Sequence, residues 1–106
     1  MCSRKFKKKI LIDGENVLGY IEGTDLKEKL IIITAHYDHL GKQDTLIYNG
    51  ADDNGSGTVA ALEIAEAFMI AKKNGKGPRR SVLIMAVSGE EKGLLGSKYY
   101  TKKPEI

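Results

Sequence analysis

Three short stretches of this chain carry residue types that can hold a metal ion and move a proton: His36-Tyr37-Asp38-His39, Asp52-Asp53-Asn54 and Glu90-Glu91. Neutral imidazole and carboxylate are ligands that suit zinc, and one carboxylate can serve two ions at once. A further carboxylate, not bound to the metal, can take a proton from water that the metal acidifies. Adjacent glutamates can divide those tasks, one holding the ion and the other facing the substrate. Taken singly, each stretch has a plainer explanation. A loop histidine is more often surface decoration than ligand. Asp52-Asp53 ahead of a helix suits capping and the helix dipole, and Asp52-Asp53-Asn54-Gly55 also reads as a turn. Glu90-Glu91-Lys92 has the composition of a solvated charge run. Gly50, Gly55 and Gly57 suggest a phosphate cradle only superficially, because no dinucleotide-binding or Walker pattern surrounds them.

The elements around these stretches favour chemistry. Residues 29–35 (KLIIITA) are a continuous β-branched apolar run, the pattern of a central strand covered on both faces. Residues 80–87 (RSVLIMAV) are a second buried strand. Between them the spacing predicts a helix over 57–73, with Ser56 as its N-cap and Gly75 as its C-cap. Val59, Leu62, Ala65 and Phe68/Met69 would form its core-facing stripe. Residues 36–54 show no periodicity and read as one long loop, a length that is often functional. Residues 6–12 and 16–22 read as strands, each followed by a turn at Asp13-Gly14 or Gly23-Thr24-Asp25. Residues 88–93 form a loop, and a second helix runs from Leu94 to Tyr100.

A strand, a crossover helix and a strand predict parallel pairing of 29–35 with 80–87, and the hairpin-like first strands predict antiparallel pairing. The fold class is therefore α/β, a mixed sheet with helices on its faces. The His36 and Glu90 stretches both follow strand C-termini, where open α/β sheets bind ligands. Asp52-Asp53 sits at the start of the crossover helix. All three stretches can thus converge on one edge of the sheet.

Composition bounds the alternatives. The chain has 106 residues, enough for one domain or part of one, and no apolar run approaches the length of a bilayer span. The basic start lacks a following apolar segment, so it is not an intact signal peptide. The single cysteine, Cys2, excludes an internal disulfide and a cysteine zinc site. Basic residues cluster at Arg4, Lys5 and Lys7–Lys9, and again at Lys72, Lys73, Lys76, Arg79 and Arg80. No aromatics interleave with them to stack bases, so solvated loops are the expectation and nucleic acid is not a partner.

In register, His36-Tyr37-Asp38-His39-Leu40-Gly41, Asn49-Gly50-Ala51-Asp52-Asp53-Asn54-Gly55-Ser56-Gly57 and Ser88-Gly89-Glu90-Glu91-Lys92-Gly93-Leu94-Leu95-Gly96-Ser97 closely resemble the M28 metallopeptidases. The order and spacing match across residues 16–100. The resemblance implies a co-catalytic dizinc aminopeptidase acting on peptide substrates. It implies that His36 ligates one zinc, Asp53 bridges both, Glu91 ligates the other, and Glu90 is the general base. Asp38 would hold the His36 imidazole. A cis peptide after the bridging aspartate, here Asp53–Asn54, is also implied.

The same resemblance implies an α/β/α sandwich of about eight strands. The chain would supply a single partial domain over 1–106, the N-terminal portion of the catalytic domain, a truncated zinc-exopeptidase fold. The family completes its site with a later aspartate and histidine, which this sequence lacks. His39 is no evident substitute. Two ligands per ion remain, so zinc binding by this chain alone is expected to be weak or absent, and the chain inactive. A partial sheet would also leave an open edge for self-association. The competing function is a non-catalytic fragment or binding module that keeps inherited motifs. Carboxypeptidases and glutaminyl cyclases also occur in the family, and an extracytoplasmic location is implied by resemblance alone.

Overall fold

Arg80–Val87 is rich in β-branched and apolar residues and contains no turn former, and it becomes the middle strand of the sheet. The computed structural model describes residues 13–105, so the expected strand at 6–12, Cys2 and the first basic cluster lie outside the described residues. In chain order the elements are β1 (Val17–Ile21), β2 (Leu26–His36), β3 (Gly41–Gln43), β4 (Leu46–Tyr48), a wide turn at Ala51–Gly55, α1 (Ser56–Lys73), β5 (Arg80–Val87) and α2 (Leu95–Lys102). The main sheet has the order β1-β5-β2. β2 runs parallel to β5, as the crossover helix demands, and His36 stands opposite Val87 at the last pair.

β1 is antiparallel, but its partner is β5 and not the next strand in sequence. The turn after β1 therefore crosses the end of β5 instead of closing a hairpin. Thr24 and Leu26 donate their backbone N–H groups to the Arg79 carbonyl at 3.0 and 3.1 Å. The Ser81 hydroxyl, buried at 1% exposure, fixes this crossing. It donates to the Lys27 carbonyl at 2.7 Å, and the Gly23 N–H and Tyr20 hydroxyl approach it at 3.0 and 3.1 Å. A buried hydroxyl would be costly if unpartnered, and this one is satisfied. Gly23 permits the approach, since a Cβ there would run into the Arg79–Ser81 backbone.

Alternation along β5 builds two small cores. Val82 and Ile84 join Ile21, Ala35 and Ala61 on one face, with Ile33, Ala65 and Phe68 packed against them. Leu83, Met85 and Val87 join Tyr100 and Leu18 on the other. Helix α1 thus covers one face and α2 the other, giving helix, sheet, helix layers.

Three expectations change here. The stripe of α1 facing the sheet is Ala61, Ala65 and Phe68. Val59, Leu62 and Met69 are 59%, 63% and 54% exposed. The helix is apolar over a wider arc than one sheet face can cover, so period alone chose the wrong edge of the arc. β2 is also not central among the described strands: Leu30, Ile31 and Ile32 remain partly exposed on the outer strand. Finally, 36–54 is not a structureless loop. It contains the antiparallel β3–β4 hairpin, turned at Asp44 with φ 55°. Its strands are three residues each and fully exposed, so no hydrophobic alternation marks them.

The end of α1 is as expected. Gly75 takes φ +77°, its N–H donates to the Lys72 carbonyl at 3.0 Å, and Lys76 N–H donates to Ala71 at 2.8 Å. This is the Schellman pattern. Its start differs. The Ser56 hydroxyl donates back to the Asp52 carbonyl at 2.8 Å, and the Asn54 side chain accepts from Gly57 N–H at 3.1 Å, doing the capping. Leu83 is wholly buried in the middle strand. Leu83→Ala is expected to lower unfolding free energy by about 2–5 kcal/mol, as read by urea denaturation; a loss below 1 kcal/mol would contradict the placement of this core.

Candidate metal centre

Parallel pairing brings the ends of β2 and β5 to the same level. Tyr37 N–H continues the ladder to the Val87 carbonyl at 3.0 Å, so His36 and the 88–94 loop leave the sheet side by side. The Thr58 hydroxyl donates to the His36 carbonyl at 2.9 Å and fastens the first turn of α1 to the same point. Between them, Gly55 N–H bonds to the Gly50 carbonyl at 2.9 Å and closes the wide turn that presents Asp53. The Asp53–Asn54 peptide is cis, as the resemblance implies.

His36 lies at the centre, its side chain only 13% exposed. Its Nδ1 is 3.1 Å from the Asp38 carbonyl oxygen. A carbonyl can only accept, so in the neutral ring Nδ1 carries the hydrogen. The Nε2 lone pair then points toward Asp53 Oδ1 at 3.1 Å and Glu90 Oε2 at 3.8 Å. Three acceptors facing one another need a cation among them or a proton on Nε2. The donor atoms fit the former: His36, Glu90 and Glu91 offer one set within 4.8 Å of one another, and His39, Asp53 and Glu91 offer another. Imidazole and carboxylate are zinc ligands.

Asp38 does more than hold the imidazole. Its backbone carbonyl orients the ring, while its carboxylate lies 3.6 Å from Nδ1. That carboxylate instead accepts the Glu90 N–H at 3.1 Å and the Glu91 N–H at 3.3 Å. One residue of the β2 end thereby positions both glutamates of the β5 end. The loop is held from the other side by Asn16. Asn16 Nδ2 donates to the Gly96 carbonyl at 2.8 Å, and its Oδ1 accepts from Ser88 N–H at 3.3 Å. A lone asparagine before a strand gives no sign of such a role. The resemblance gives His39 no role, yet it meets Glu91 at 3.0 Å.

Burial pushes the His36 pKa down, but the Asp38 carbonyl and the Glu90, Asp53 and Asp38 carboxylates push it up and prevail. Its pKa is therefore raised above the ordinary 6.5. With a folded-state pKa above the unfolded one, protonated His36 stabilises the metal-free fold fully below the unfolded pKa. That contribution fades as pH rises through the folded value. NMR titration of the metal-free chain is expected to place His36 above an ordinary histidine, and Glu90→Gln is expected to lower it. An unshifted His36 would contradict the cluster.

A family model described as peptidase family M28 matches residues 16–106. The chain belongs to peptidase family M28. Among its M28-type relatives, a probable zinc metalloprotease of Leptosphaeria maculans is 36% identical, the match covering 79% of this chain and 19% of that protein. A probable glutamate carboxypeptidase of Arabidopsis thaliana is 33% identical over 84% of this chain and 12% of its own length. A vacuolar membrane protease of Verticillium alfalfae is 31% identical over 87% of this chain and 10% of its own length. The chain thus spans less than a fifth of the length of these curated relatives. The matching model describes a family of peptidases, and zinc is the metal that the name of the Leptosphaeria relative carries.

Proposed function

We propose that this chain forms part of the catalytic centre of a zinc-dependent aminopeptidase that removes N-terminal residues from peptides. The observation that carries the proposal is the convergence of His36 Nε2, Asp53 and Glu90 around a point that calls for a cation. His36, Asp53 and Glu91 would hold zinc, with Asp53 placed to serve two ions. When bound, zinc supplies Lewis acidity that polarises the scissile carbonyl and acidifies water. Glu90 takes the proton from the attacking water and delivers it to the leaving amine. Asp38 keeps Glu90 in position through its backbone N–H. The Glu90-Glu91 pair and the Gly50–Gly55 string favour an aminopeptidase within the family, although some relatives are named carboxypeptidases. The vacuolar naming of other relatives favours a compartment outside the cytosol. Among the described residues no helix is long and apolar enough to cross a membrane.

Hydrolysis of amino-acid p-nitroanilides by a protein carrying this segment is expected to stop with a chelator and return with zinc. Glu90→Gln should lower turnover by roughly 10²–10⁴-fold. Chelator-insensitive activity, or full activity in the variant, would overturn the proposal.

The 106 residues themselves supply His36 with Asp53 for one ion and Asp53 with Glu91 for the other, short of the three protein ligands usual for catalytic zinc. This isolated polypeptide is therefore proposed to bind zinc weakly or not at all and to be inactive alone. Calorimetry is expected to show binding weaker than about micromolar; stoichiometric sub-micromolar binding would refute that.

A further inference from the structure

His39 belongs to one of the two donor groups but is not among the zinc ligands proposed above, and its surroundings are built. Its side chain is 22% exposed, and its Nδ1 lies 3.0 Å from Glu91 Oε1, whose side chain is 17% exposed. Tyr48 presents itself to the imidazole in an edge arrangement, with ring centroids 6.3 Å apart and planes at 69°. On another side is Gly50, where a Cβ would sit 3.1 Å from the His39 Cγ and Cδ2 atoms. Gly50 also has φ +76°, a conformation that disfavours a side chain. His39 precedes β3, Tyr48 ends β4, and Gly50 follows. The β3–β4 hairpin therefore closes on the imidazole and brings both neighbours to it.

We infer that His39 is a positioning residue that fixes the carboxylate of Glu91 by donating its Nδ1 hydrogen to Oε1, leaving the other oxygen for a metal. A carboxylate can only accept, so the contact requires hydrogen on Nδ1. Glu91 is then held at both ends: its backbone N–H by the Asp38 carboxylate and its side chain by His39. A glutamate has three side-chain torsions to fix, and its ligand geometry benefits from such an outer partner. The inference rests on the metallopeptidase proposal for the identity of what Glu91 holds. The hydrogen bond itself can be tested without metal.

Long-range proton–nitrogen NMR of the metal-free chain at alkaline pH reads the tautomer of each histidine. The expected result is an Nδ1–H tautomer at His39 that swings toward Nε2–H in Glu91→Ala. An Nε2–H tautomer in the unmodified chain, unmoved by Glu91→Ala, would overturn the inference whether or not zinc binds. Zinc titration followed by NMR, which reads weak binding, adds a second test. His39→Ala should weaken zinc binding by roughly 10-fold or more. His39→Asn puts an amide donor near the Nδ1 position but is a poor zinc ligand, and it should recover most of the loss. Failure of His39→Asn to recover would reject positioning in favour of direct ligation. If the unmodified chain gave no response to zinc at all, the metallopeptidase proposal would rest on its own chelator test, and the tautomer result alone would decide the His39 contact.

Discussion

The site depends on the parallel pairing of β2 with β5 in a register that ends both strands together. His36 opposite Val87 is the last pair, and the Tyr37 N–H bond to Val87 extends it by one step. A shift of one residue would move every β5 side chain to the opposite face and separate Val82 and Ile84 from α1. It would also carry the Asp38 carboxylate out of reach of the Glu90 and Glu91 N–H groups. Those two bonds, at 3.1 and 3.3 Å, join the outer ends of neighbouring strands. Core alternation and site geometry are thus set by the same register.

Much of this architecture is legible in the sequence, because buried strands and helix ends leave local marks. The apolar runs in β2 and β5, the Gly75 stop and the crossover order led to a mixed α/β sheet with helices on its faces. What local pattern could not supply was partnership. β1 lies beside β5 because the turn at Gly23–Asp25 crosses the Arg79–Ser81 backbone, a contact between residues far apart in the chain. The sequence of β2 suggests a neighbour on each side, and only one is present among the described strands. On α1, nearly the whole circumference is apolar. The small residues Ala61 and Ala65 allow close approach to the sheet, and the larger Val59 and Leu62 are left on the outside.

The candidate site divides along the same line. His36, Asp53, Glu90 and Glu91 stand out in the sequence because three stretches lie in register with a family pattern; the fold sets Asp53 and Glu90 beside His36 and groups Glu91 with each histidine. The resemblance implies that Asp38 holds the imidazole; its backbone carbonyl lies 3.1 Å from the ring Nδ1, and its carboxylate accepts from the glutamate loop. No sequence pattern distinguishes a carbonyl acceptor from a carboxylate on the same residue. The roles of Asn16 and His39 are illegible in the sequence for a different reason. Each acts through contacts far along the chain, Asn16 with Gly96 and Ser88, 80 and 72 residues away, and His39 with Glu91, 52 residues away.

The polar groups around His36 also explain why so much structure is devoted to so few atoms. Carboxylates and an imidazole lone pair repel at hydrogen-bond distance unless a cation or proton lies among them. Left to relax, flexible glutamates would swing outward into water. Here they are restrained by groups that do not face the cluster: Asp38 on the backbone of both glutamates, Asn16 on the base of their loop, and Gly55 N–H closing the turn that carries Asp53. The raised pKa of His36 reflects the same crowding, since the Asp38 carbonyl and the Glu90, Asp53 and Asp38 carboxylates favour its protonated form over the opposing effect of burial. Such a centre resists collapse only while its anchors hold. In the proposed metal centre the anchors therefore matter as much as the ligands, and the short exposed β3–β4 hairpin, absent from both cores, has a reason to be there.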